Sequence, residues 1–144
     1  MAELQNYVKL EFAAKDSNVA IARLAAASFS AELGYSLTDI EEIKVAVSEA
    51  VSNAMIHGYG GDESRSGEVI YAHHGDVFEI AVKDDGVGIA DIQKAMEPAY
   101  STVADRMGLG FVFMGSFMDH LDVESAPNKG TTVRMQKRCP VHER

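Results

Sequence analysis

The chain has 144 residues, 47% apolar and 24% charged, with a formal net charge of −9. That length suits one domain with its own hydrophobic core, and the acidic balance excludes a protein that tracks nucleic-acid phosphates across a basic face. No apolar run approaches the about 20 residues that cross a bilayer, MAELQNYVKLEF lacks a basic-then-apolar leader pattern, and the single Cys139 permits no internal disulfide, so a cytoplasmic protein away from membranes is expected.

Residues 5–14 alternate apolar Val8, Leu10 and Phe12 with polar Lys9 and Glu11, the period of a half-buried strand. Asp16 or Ser17 can cap a helix to about Leu33, ended by Gly34. A second helix opens at Thr38, with Glu41 completing a T-D-I-E capping box, and runs to about His57. GYGGDESRSG reads as a surface loop. EVIYAHH and VFEIAVK, split by Gly75-Asp76, form a hairpin, and DDGVGI follows at once. Residues 90–97 are expected to form a short helix stopped before Pro98. PAYSTVADRMGLG reads as a mobile connector and GFVFMGSFMDH as a helix. HLDVESA and TTVRMQK are two strands joined by Pro-Asn-Lys-Gly.

The order β-α-α-β-β-(α-loop-α)-β-β predicts an α+β fold, a two-layer sandwich of a mixed, mainly antiparallel sheet with helices on one face. A dinucleotide fold would need alternating parallel βαβ units, which the order lacks. Residues 1–138 are expected to be a single domain and 139–144 a short tail, with Cys139 a spectator near its start.

On the second helix Ile40, Ile43, Val47, Ala50, Val51 and Ala54 form one apolar stripe. Glu49 falls roughly opposite it and Asn53 beside it. They either lie on a solvated outer face or line a polar cleft, since their neighbours are small or apolar and a lone buried Glu costs several kcal/mol. DDGVGI puts two glycines just past a strand, and MGLGF two at a helix start, where backbone amides bind anions. Each pair is equally readable as a tight turn. Asp84 is either an acceptor for a ligand amine or a turn residue beside Asp85, and Gly130-Thr131 by itself is a hairpin turn. His73 and His74, adjacent on a strand, face opposite ways and make no metal site. His57 caps or packs near the helix end, or touches the same region. His120 and His142 lie in no motif.

The order of these motifs is specific. E-x-x-x-N on a helix, D-x-G-x-G after a strand, G-x-G opening a helix and G-T before the last strand resemble the ATP-binding domain of the GHKL superfamily (the Bergerat fold). Within it, EIKVAVSEAVSNAMIHGY, DDGVGI, MGLGFVFMGSFMD and VESAPNKGTTV are similar to the bacterial anti-sigma factor serine kinases of the sporulation type, over essentially the whole chain.

That resemblance implies roles position by position. Asn53 would ligate Mg²⁺ bridging the triphosphate of ATP, and Glu49 would be the general base. Asp84 would read the adenine amine, with Gly86 and Gly88 lining the pocket and Thr131 beside it. Gly108 and Gly110 match the phosphate loop, Arg106 the lid arginine, and residues 97–107 the ATP lid. The lid departs from the family pattern: it is shorter, and Val103 stands where a Lys is expected. Arg23 matches an arginine used for partner binding. The implied partners are a sigma-F-like sigma factor, an anti-anti-sigma factor phosphorylated on a serine, and a second copy in a homodimer. ATP and ADP would switch between partners. Other expectations from the same residues are a nucleotide-gated sequestering module without kinase activity, an ATPase in which Glu49 activates water, and a stress-response kinase of the same branch.

Overall fold

The computed structural model describes residues 3–55, 62–86, 88 and 103–140, the side chains of 103–108 excepted. Among the described residues five strands and three helices follow in the order β1 (Leu4–Ala13), α1 (Ser17–Glu32), α2 (Leu37–Asn53), β2 (Ser66–His74), β3 (Val77–Asp84), α3 (Val103–Phe117), β4 (His120–Ser125) and β5 (Thr131–Arg138). The strands form one sheet in the order β1-β2-β3-β5-β4. Every described pairing is antiparallel, so the sheet is not mixed within these residues.

Register explains which face is apolar. Val69 and Tyr71 of β2 pair with Val82 and Ile80 of β3, which pair with Val133 and Met135 of β5. All six are buried and continue one row across the sheet. On the opposite face Lys9 pairs with Glu68, and Arg134 and Gln136 bond Glu79, as a water-facing sheet surface requires. Helices cover the apolar face, α1 over β1 and β2, α2 over β3, and α3 over β4. Phe29 of α1 stacks on Phe78 with centroids 5.2 Å apart, and the Tyr71 hydroxyl donates to Ala22 O at 2.6 Å, tying α1 to the sheet. Full burial of side chains such as Phe78, Ile80 and Met114 stabilises by about 1.5–3 kcal/mol each.

Two helix boundaries differ from the expectation. The N-cap of α2 is Ser36, not Thr38: its Oγ accepts from Asp39 N at 3.1 Å. Ser36 has the extended backbone a cap needs, while Thr38 already lies in the first turn and Glu41 pairs with Lys44 instead. More important for the site, α3 begins at Val103, so the last eight residues of the expected connector are helical and Gly108 and Gly110 sit inside the helix, not at its start. Ala, Arg and Met favour helix there, while interior glycines, each costing about 1 kcal/mol, mimic a break in the sequence. α1 agrees with its expected span, and Gly34 takes φ 87° just past it. The expected helix over 90–97, residues 97–102 of the lid, His57, His142 and the Arg106 side chain lie outside the described residues.

Candidate functional site

The core face of α2 is wider than a single stripe. Ile43, Ala46, Val47, Ala50 and Val51 are all buried, because α1 flanks one side of the helix and α3 the other. Asn53 falls inside this covered surface, 8% exposed, and Glu49 one turn earlier is half-buried. Both therefore lie against α3 and not on a solvated face.

Gly110 keeps the space above them open. A Cβ there would stand 3.0 Å from Glu49 Oε2 and 3.1 Å from Asn53 Nδ2. Any larger residue at 110 would fill the gap into which both polar groups point. Asn53 Nδ2 is buried and makes no hydrogen bond. Leaving such a donor unpaired costs about 1–3 kcal/mol, and a buried orphan of this type marks room for a missing polar partner. A half-turn of the amide presents Oδ1 to the same space, the atom a hard cation would take. Among the described residues no three His, Cys, Asp or Glu side chains gather into a metal cage. The local donor set thus fits a cation held by one amide oxygen, with phosphate and water completing its shell.

A second cluster forms where three strands end. The inward row of β3 runs through Phe78, Ile80 and Val82 to Asp84, which lies opposite Thr131 of β5, which in turn lies opposite Ser125 of β4. Asp84 Oδ1 accepts from Gly86 N at 2.9 Å, and the Thr131 amide also bonds the carboxylate. Burial is the largest influence on Asp84 and raises its pKa above the ordinary 3.8, while the two amides pull it down. A desolvated carboxylate with acceptor capacity left over suits an amine donor.

The glycines of this corner serve backbone contact. Gly88 and Gly130 have φ 74° and 76°, and Gly130 N donates to Gly86 O at 3.1 Å. A Cβ on Gly88 would collide with the Ala126 carbonyl, and one on Gly130 with the Asp84 carbonyl. The DDGVG and PNKG loops are clamped together, which holds Asp84 and Thr131 side by side. Asp84, Gly86, Gly88 and Thr131 are thus brought together at this corner, and Glu49, Asn53 and Gly110 at the α2–α3 crossing. Gly108 lies within α3, two residues before Gly110.

Arg23 stands apart from both groups. Its Nε donates to Ser48 Oγ at 2.9 Å, and Ser48 Oγ donates to Lys44 O at 2.7 Å, mooring α1 to α2. His73 and His74 form no metal cluster among the described residues; His73 Nε2 contacts Gly75 O. Cys139 N donates to Asp76 O, so the residue is tied to the β2–β3 turn. Sequence reasoning missed Ser125, whose Oγ reaches both Gly130 O and Thr131 Oγ1. The signal was a lone Ser at the third inward position of β4, after Leu121 and Val123.

A model of the histidine kinase-like ATPase domain family matches residues 12–137, the class that this sheet, its helices and the two clusters define. The chain is 45% identical over 144 residues to the anti-sigma F factor of Clostridium acetobutylicum, covering 97% of this chain and 99% of that one. It is 41% identical to the anti-sigma F factor of Geobacillus kaustophilus, over 93% of each chain. The fold matches part of a longer chain, the RsbU and RsbW domains of Rv1364c from Mycobacterium tuberculosis, with a TM-score of 0.65 at 21% identity, over 94% of this chain and 32% of that one. The chain belongs to the anti-sigma F factor family of histidine kinase-like ATPase domains.

Proposed function

We propose that the protein binds and inhibits a sigma factor of the sigma-F type, and uses Mg²⁺-ATP to phosphorylate a serine of an anti-anti-sigma antagonist. The name its relatives carry supports the first part. The observation that carries the second is the buried, unpartnered Asn53 amide beside Glu49, under a gap that Gly110 keeps open.

In this reading Asp84 accepts a hydrogen bond from the adenine amine, with Gly86, Gly88 and Thr131 shaping that end. Asn53 offers its amide oxygen to Mg²⁺, and Gly108 and Gly110 leave the α3 backbone approachable by phosphates. Arg106 adds a cation, a role that fits its place before Gly108. When bound, the metal would offset the charge of the triphosphate, on which phosphoryl transfer chiefly depends. Glu49, one helical turn from Asn53, takes the proton of the entering serine hydroxyl, a contribution of about 10²–10⁴-fold. Arg23 serves the partner surface. A homodimer working in the cytoplasm fits a family whose partners are sigma factors.

The test is one incubation with γ-labelled ATP, Mg²⁺ and the antagonist. Label should appear on a partner serine and fall by at least about 10²-fold in Glu49→Gln while nucleotide binding persists. Label released only as inorganic phosphate would make the protein an ATPase in which Glu49 activates water. Nucleotide binding with neither outcome would leave a gated sequestering module.

A further inference from the structure

The face of α3 turned away from the sheet is apolar where a solvated helix face would carry charge. Phe111 and Met114 turn to the core, whereas Leu109, Val112 and Phe113 are exposed. Residues 109–118, LGFVFMGSFM, hold no charged side chain. Phe113 stacks on Phe117 with ring centroids 6.0 Å apart, so the apolar stripe continues one turn further along the helix. Single apolar residues scattered over a surface carry no message; a contiguous, uncharged stripe marks an interaction site.

The stripe borders the crossing of α2 and α3 along its length. At one end Gly110 faces Glu49 and Asn53. At the other, Lys137 Nζ donates to Phe117 O, and the hydroxyl of Tyr35, two residues before α2, donates to Lys137 O. The two helices therefore run antiparallel. At about 100° per residue, Glu42 lies within about 20° of Glu49 on α2 and Val45 within about 40°, while Phe117 lies within about 20° of Gly110 on α3. Exposed Val45 and half-buried Glu42 and Glu49 thus edge a groove whose other side is Phe113 and Phe117. Lys44 is rotated toward the α1 side and is paired with Glu41 at 3.1 Å, so no free cation offsets this edge. From Leu109 to Phe117 the groove runs about 12 Å, two turns of a helix.

We propose that this groove docks the serine-bearing antagonist, through a short amphipathic helix of that partner with Lys or Arg beside its apolar face. The apolar side would cover Leu109, Val112 and Phe113, and the cations would meet Glu42 and the acidic side of α2, an apolar anchor with a complementary rim. Continuity with the site selects the antagonist as occupant. The stripe starts at Leu109, next to the gap that Gly110 keeps open above Glu49. A segment lodged there brings its own serine to the carboxylate that takes the hydroxyl proton, which a partner held on the open sheet face could not do. The inference rests on the proposed function, since it takes the antagonist to be the phosphate acceptor.

The experiment measures the Kd of the antagonist by titration calorimetry and its KM in the γ-labelled ATP assay, with the full chain. Val112→Lys removes an apolar contact and adds a charge of the partner's own sign; Phe113→Gln removes the exposed ring. Each should raise both constants by about tenfold or more, the scale of one buried apolar side chain. The rate at saturating antagonist and the Kd for ATP should stay unchanged, the signature of lost docking and not of lost chemistry. Glu42→Lys should raise the same constants at low salt and flatten their rise with ionic strength. Should Phe113→Gln fail to fold, Val112→Lys decides alone, since its side chain faces solvent. Unchanged antagonist affinity in the folded variants would overturn the docking surface. So would a loss confined to the sigma factor, or a changed oligomeric state in sedimentation with antagonist binding intact. Wild type that binds the antagonist without labelling its serine would overturn the proposed function, and the Kd values would still judge the groove. Wild type that binds no antagonist would overturn both.

Discussion

Asn53 combines two properties that are seldom found together, near-complete burial and a donor with no partner. If that donor is kept for a ligand, it costs the empty protein stability. Asn53→Ala should therefore leave the ligand-free fold as stable as wild type or more stable by about 1 kcal/mol, because it deletes an unsatisfied buried amide. The same substitution should abolish Mg²⁺-dependent ATP binding. Denaturant melts paired with titration calorimetry test both halves, and a loss of stability with binding intact would refute the assignment. That Asn53 stands one helical turn from Glu49 was legible in the sequence, while the role proposed for it came from the family resemblance. Its burial was not, because the apolar stripe describes one helix and the cover comes from another about fifty residues later in the chain.

At the scale of elements, the α2–α3 crossing is the decisive contact, and Gly110 sets how closely the helices approach. Gly110→Ala brings a gain of about 1 kcal/mol in helix propensity, set against displacement of the Glu49 and Asn53 side-chain ends. Stability should change little, whereas affinity for Mg²⁺-ATP should fall by about tenfold or more as the methyl enters the gap. Thermal melts and nucleotide titration separate the two effects; tight ATP binding in the alanine variant would show that the gap is not part of the site. Strands and hairpins were legible in the sequence because alternation maps directly onto register: Val8, Leu10 and Phe12 all turn to the helix side, as expected. The start of α3 was not, since glycines that lower helix propensity locally were required by packing at a distance. Ser36 was overlooked as a cap in favour of Thr38 for a related reason, the T-D-I-E pattern being equally good on paper until the backbone entered the helix two residues sooner.

For the molecule as a whole, the Asp84 corner ties pH to stability. The folded pKa of Asp84 is raised above its unfolded value of 3.8, chiefly by burial. Between those two values the folded chain holds more protons than the unfolded one, so this residue makes stability fall as pH rises through that window, with the full penalty above it. Asp84→Asn does not titrate there. The stability of the wild type relative to this variant should therefore decline as pH rises above 3.8, and nucleotide binding should be lost at neutral pH. Denaturant titrations at stepped pH read this difference directly; a difference independent of pH would show that Asp84 is not desolvated. A fold that gives up stability at Asn53 and Asp84 in its empty state has two places where a ligand can restore it.

The sequence by itself determined the α+β order of elements, the antiparallel hairpins, the apolar stripe of α2 and the kinds of polar residue available to a site, because propensity and periodicity act over a few residues. Only the tertiary structure decided that Asn53 is covered while Glu49 is half-buried, and that Gly110 lies within α3 against Glu49 and Asn53 instead of opening that helix. Each of those depends on the distance between chain segments that are far apart in sequence, and burial exists only once those segments have met.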